Sequence, residues 1–181
     1  MTTTHILALL ACGCVSLSSA SMAEPQCYSN DHYHVVAQPY PDDAGNRFAV
    51  TRLKGAAPAE CKFDESTADL VIGKAGDPLW YADLTGDSLI LSRSTGPQGD
   101  LVVYDLKSDQ SVLDVPADEY EIKGNGLSFW QRTAEATADT CKDFAENQAN
   151  GLGSVIAVLK TMDLGTGAIV ETGESKCVAV Q

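Results

Sequence analysis

Turn-forming residues cut this chain into short pieces, and that punctuation limits what it can fold into. Pro41-Asp-Asp-Ala-Gly45, Thr85-Gly-Asp87, Gly96-Pro-Gln-Gly99, Gly124-Asn-Gly126 and Gly165-Thr-Gly167 recur between runs rich in Val, Ile, Leu, Tyr and Thr. Such turns supply positive φ or local side-chain hydrogen bonds, and the runs between them are strand-length. Strands are expected over 32–38, 47–54, 69–74, 79–84, 88–93 and 101–106. Further strands are expected over 111–115, 119–123, 127–132, 154–162, 168–172 and 176–180. The implied fold class is mostly β: an antiparallel sandwich, a barrel or a propeller-like meander. At most one short helix is expected, at about 134–150, where Ala, Glu, Lys and Gln dominate between Thr133 and Gly151, with part of the segment as loop the alternative.

The N-terminus has a different character. Ile6-Leu-Ala-Leu-Leu10 leads into small residues ending at Ser21 and Ala23. This reads as a signal peptide over 1–23, removed before Glu24, which leaves 24–181 as one disulfide-stabilised β-rich domain. A periplasmic or extracellular location follows. Of six cysteines, Cys12 and Cys14 fall in that leader. Cys27, Cys61, Cys141 and Cys177 remain, an even set that suggests two disulfides. Pairing Cys27 with Cys61 and Cys141 with Cys177 would tie each end to nearby chain. None has the close spacing of a zinc site, and no cofactor is implied.

The formal charge is −13, and residues 1–23 contain no Asp, Glu, Lys or Arg. A nucleic-acid partner would require clustered cations, and a membrane-inserted segment would require a longer apolar run. A protein partner, preferably basic, suits the charge better.

Three segments, Ala82-Asp-Leu84, Tyr104-Asp-Leu106 and Met162-Asp-Leu164, resemble one another. Their spacing is too short for whole propeller blades, so they are expected to mark hairpins. Around Asn125 two hairpin registers are open. In one, Asn125-Gly126 forms the loop and Ile122 faces Phe129. In the other, Gly124-Asn125 forms it, and Ile122 faces Leu127 while Tyr120 faces Phe129. Either way Tyr120, Ile122, Leu127 and Phe129 share one face. Trp130 shares the opposite face with Glu119, Glu121, Lys123, Ser128 and Arg132.

An aromatic among charges resembles a binding anchor, so Trp130, Glu119 and Glu121 are the expected binding residues. The competing expectation is that 134–150 covers Trp130. His32-Tyr33-His34 could present two imidazoles to one ion from an exposed strand start, but no third ligand is indicated, and no metal is expected. Asp42-Asp43, Asp64-Glu65, Asp118-Glu119 and Asp83-Leu-Thr-Gly-Asp87 look like loop punctuation. Gly151-Leu-Gly-Ser154 lacks nucleophile-elbow spacing. No catalytic residue emerges. The expectation is an exported acidic binding protein of inhibitor or immunity type. The alternatives are a small metal-dependent or hydrolytic enzyme using His32 and His34, or a structural envelope subunit.

Overall fold

The structure, a computed structural model, describes residues 24–181; the proposed leader and its cysteines lie outside the described residues. It contains three four-stranded antiparallel sheets, each a meander in chain order. The first holds β1 (Gln26–Ser29), β2 (Tyr33–Pro39), β3 (Asn46–Arg52) and β4 (Leu70–Ile72). The second holds β5 (Leu79–Thr85), β6 (Ser88–Arg93), β7 (Asp100–Asp105) and β8 (Gln110–Pro116). The third holds β9 (Tyr120–Lys123), β10 (Gly126–Glu135), β11 (Gly153–Asp163) and β12 (Ile169–Val180). The mostly-β expectation holds, and among the described residues there is no closed barrel.

The second sheet lies between the other two, and its sequence shows why. A sheet covered on one face alternates apolar with polar residues, whereas one covered on both faces carries unbroken apolar runs. Leu89-Ile90-Leu91 and Leu101-Val102-Val103 are such runs, every residue at most 1% exposed. Leu89, Leu91 and Val102 point one way, into a core with Val35, Phe48 and Val50 of the first sheet. Ile90, Leu101 and Val103 point the other way, onto Leu127, Phe129 and Met162 of the third. Each such side chain contributes roughly 1.5–3 kcal/mol on burial.

Polar contacts stitch the layers together. Arg52 of β3 donates to the Leu106 carbonyl at 2.9 Å. Tyr33 donates to Asp87 at 3.1 Å; burial and the Asp87 charge push its phenol up to about 12.

Both disulfides have the expected pairing, Cys27–Cys61 and Cys141–Cys177. Such bonds persist in oxidising environments outside the cytosol. Each fastens a covering segment. Between β3 and β4 the chain returns over the first sheet's outer face. Cys61 holds it there, with Phe63 against the Arg47 guanidinium and Glu65 paired to Arg47. Val36 and Ala49, on that outer face, are each 4% exposed as a result.

The 134–150 segment is mostly not helix. β10 continues through Glu135, because Ala134 and Glu135 pair with Ile156 and Val155 past a bulge at Thr133. The helix, α1, is confined to Phe144–Ala149. Residues 168–172 and 176–180 prove to be one strand, β12. The intervening Thr172-Gly173-Glu174 is a bulge, where Thr172 Oγ1 donates to the Leu159 carbonyl and accepts from Glu174 N–H. β1, absent from the sequence expectation, pairs with β2.

The Asp-Leu segments do sit at hairpins. Asp163 accepts from the N–H groups of Gly165 and Thr166, and Asp105 from Lys107 N–H and Ser108 Oγ. Bonds to the Thr166 backbone, first among several, hold the Asp163 carboxyl below its usual range; the Ser108 hydroxyl does so for Asp105.

Truncating a side chain of the middle sheet should be costly, since neighbours on both sides are held in place. Leu91→Ala is expected to lower stability by about 2–5 kcal/mol. The check is urea denaturation, reading a lower midpoint at unchanged slope.

Candidate recognition face

The hairpin of β9 and β10 positions the face. Ile122 pairs with Leu127 and Tyr120 with Phe129, so the loop is Gly124-Asn125. Gly124 has φ of 59°, and Asn125 is not among the positive-φ residues. This is the type II′ pattern, which asks for Gly at the first central position and matches the twist of the flanking strands. With this register Leu127 and Phe129 enter the core, and Trp130 emerges on the far side of the third sheet.

Three strands meet at the indole. The backbone N–H of Trp130 donates to the Glu119 backbone carbonyl at 3.0 Å. Lys176 of β12 places its ammonium 4.4 Å from the Trp130 ring centroid and pairs with Glu119 Oε2 at 2.6 Å. Arg132 pairs with Asp118, which also accepts from Gly99 N–H. An ammonium over an indole face is attracted by the ring quadrupole, so Lys176 holds the ring in one orientation. Beside it lies an open depression of about 360 Å³ lined by Glu119, Tyr120, Glu121, Ser128, Trp130 and Leu159. The structure thus brings Trp130, Glu119 and Glu121 around one hollow.

The 134–150 segment does not cover this face. It is tied to the sheet through Cys177 and through Asn147, whose amide donates to Ser154 Oγ at 2.9 Å. Cys177 follows Lys176 directly in the strand, so their side chains leave opposite faces. Ser154 lies on the Cys177 side as well, pairing with Ala179. The segment therefore extends the inner face, and Trp130 stays half-buried among charges.

The two histidines are not presented together. His32 precedes β2 and is exposed, its ring edge-on to Tyr33. His34 is not at an exposed strand start: it is 5% exposed, beneath the segment held by Cys61. Its Nδ1 shares a 2.7 Å hydrogen bond with Ser29 Oγ, and its Nε2 is buried without a partner. Among the described residues no group of three or more His, Cys, Asp or Glu could hold a metal ion.

The acidic pairs serve locally. Asp43 accepts from Ala44 and Gly76 N–H, Asp64 accepts from Ser66, and Glu65 and Asp118 pair with arginines. Asp83 accepts from the Thr85 hydroxyl.

Lys176 and Asp118 were missed from the sequence. Lys176 reaches Trp130 only because β12 pairs with β11 and β11 with β10, a register set by two long-range alignments. The available signal was the alternation of Lys176, Val178 and Val180, which puts Lys176 on a definite face. The chain matches no known protein family, and comparisons with curated proteins and with solved structures also gave no match.

Burial lowers the His34 pKa below that of an unfolded chain. Below about 6.5 the unfolded chain takes up a proton that the folded chain refuses. Stability should therefore fall as pH drops from there towards the folded pKa, by at most about 1.4 kcal/mol per pH unit. Urea denaturation across that range is expected to show this slope in the native chain and to lose it in His34→Leu.

Proposed function

We propose that this chain is an exported, non-enzymatic binding protein that recognises, and by recognition restrains, a basic protein partner. The observation that carries the reading is the outer face of the third sheet. The first sheet's outer face is closed by a segment and a disulfide, yet the equivalent face here keeps a half-buried tryptophan among charged side chains of both signs, Lys176 over its ring and Glu119 paired to Lys176. Large aromatic anchors flanked by polar groups dominate the energetics of protein interfaces. A net charge of −13 adds a long-range field that selects and steers cationic partners. The disulfides favour an oxidising compartment, which accords with cleavage of a leader after Ala23 and residence in the periplasm or outside the cell.

Affinity capture from the envelope fraction of the source cell, followed by binding kinetics on the captured partner, tests the reading. Raising salt from about 0.05 to 0.5 M should slow association markedly, because the screening length falls well below protein dimensions. Trp130→Ala should act on dissociation and cost about 2 kcal/mol, with little change in melting temperature because the ring is not part of either core. Glu119→Lys with Glu121→Lys should act on association. An on-rate indifferent to both salt and charge reversal sinks the proposal.

A further inference from the structure

Each of the three sheets ends in two edge strands, and they differ in a telling way. β1, β4 and β9 are four, three and four residues long. Very short edges are one means by which β proteins avoid pairing with other chains. The middle sheet's edges, β5 and β8, are seven residues each; β12 is the longest edge, twelve residues, and its residues 169–175 are all exposed. Ile169 and Val170 are 44% and 62% exposed, large apolar side chains on an open edge.

The ladder fixes which backbone groups are free. Asp163 N–H donates to the Ala168 carbonyl at 2.9 Å. In an antiparallel pair, inward- and outward-facing residues alternate along the strand. Val170, opposite Thr161, therefore turns its N–H and carbonyl towards β11, while Ile169 and Glu171 turn theirs away. The free edge offers two donors and two acceptors spaced to receive another strand.

From this we infer that β12 is a strand-addition site for an extended, basic segment of the partner, pairing along Ile169–Glu171 as a fifth strand of the third sheet. The inference rests on the recognition reading above and deepens it. Charge selects the occupant. Residues 169–175 include Glu174 and Glu171, the latter paired with Lys160 Nζ of β11 at 2.9 Å, and no cation of their own. A second copy of this chain would set these carboxylates against their own kind and bring together two bodies of charge −13. A partner strand that alternates cationic with apolar residues fits instead, an apolar residue beside Val170 and a Lys or Arg beside Glu171. Position agrees as well. Val170 stands on the same face as Thr161, Leu159 and Trp130, so an added strand enlarges the surface already assigned to recognition.

The probe is a short synthetic peptide alternating lysine with valine, set against its glutamate–valine counterpart. The lysine peptide is expected to bind and to slow hydrogen exchange at the Ile169 and Glu171 amides. Ile169→Pro removes an outward donor without touching the β11 ladder and should weaken binding about tenfold. Glu174→Lys keeps every backbone donor, leaves the Lys160–Glu171 pair intact and covers the case in which proline disturbs the fold. It should weaken the lysine peptide and strengthen the glutamate peptide. Failure to protect the two amides, or unchanged affinity in both variants, overturns the inference. So does a free protein already self-paired at this edge, since the occupant would then be a second copy. Trp130→Ala separates the two proposals. If it releases the captured partner while Ile169→Pro does not, recognition stands and the added strand falls.

Discussion

Burial of the middle sheet on both faces is the constraint on which the other layers depend. Leu89, Ile90, Leu91, Leu101, Val102 and Val103 project to both sides and are all excluded from water. Neither outer sheet has a core of its own: each of the two cores draws half its side chains from the middle sheet. Loss of one outer sheet would open a whole face of the middle one, so the layers stand or fall together. Free energy on the scale of several buried leucines enforces that coupling.

The two outer layers then face a common problem and solve it differently. Each has an outward side with no further sheet to cover it. The first sheet uses the Cys61 segment, with Arg47 between the rings of Tyr40 and Phe63. The third sheet uses its own covering segment to extend the inward side, through Cys177 and Ser154. Its outward side is left to Trp130, Lys176 and Glu119. Chemical complexity collects where the covering stops.

Much of this was legible in the residues, and the parts that were not share a cause. Local signals held: the turn sequences placed the hairpins, and cysteine proximity along the chain gave both disulfides. The face of Trp130 followed from strand alternation alone. The choice between the two registers at Asn125 was not legible. It depends on whether Gly124 or Asn125 takes the first turn position, and Gly124 takes it with positive φ. Long-range pairing hid the rest. Thr172-Gly173-Glu174 reads as a turn in isolation, yet β11 holds it as a bulge. Ala134 and Glu135 read as helix, yet β11 claims them as strand. The burial of His34 is equally non-local, since the sheet's outer face is covered by a segment held through Cys61 and Arg47. Two-sided burial of Leu89-Ile90-Leu91 was not drawn from the sequence, although strict alternation is missing there.

The placement of the disulfides also determines how the molecule would bear mechanical load. A pull applied between residues 24 and 181 is carried across each disulfide instead of along the loop it closes. Cys27–Cys61 shields β2 and β3, and Cys141–Cys177 shields α1, β11 and most of β12. The chain that can lengthen is chiefly the stretch from Cys61 to Cys141. That stretch includes the entire middle sheet together with β4, β9 and β10, so tension would fall on strands of all three layers at once.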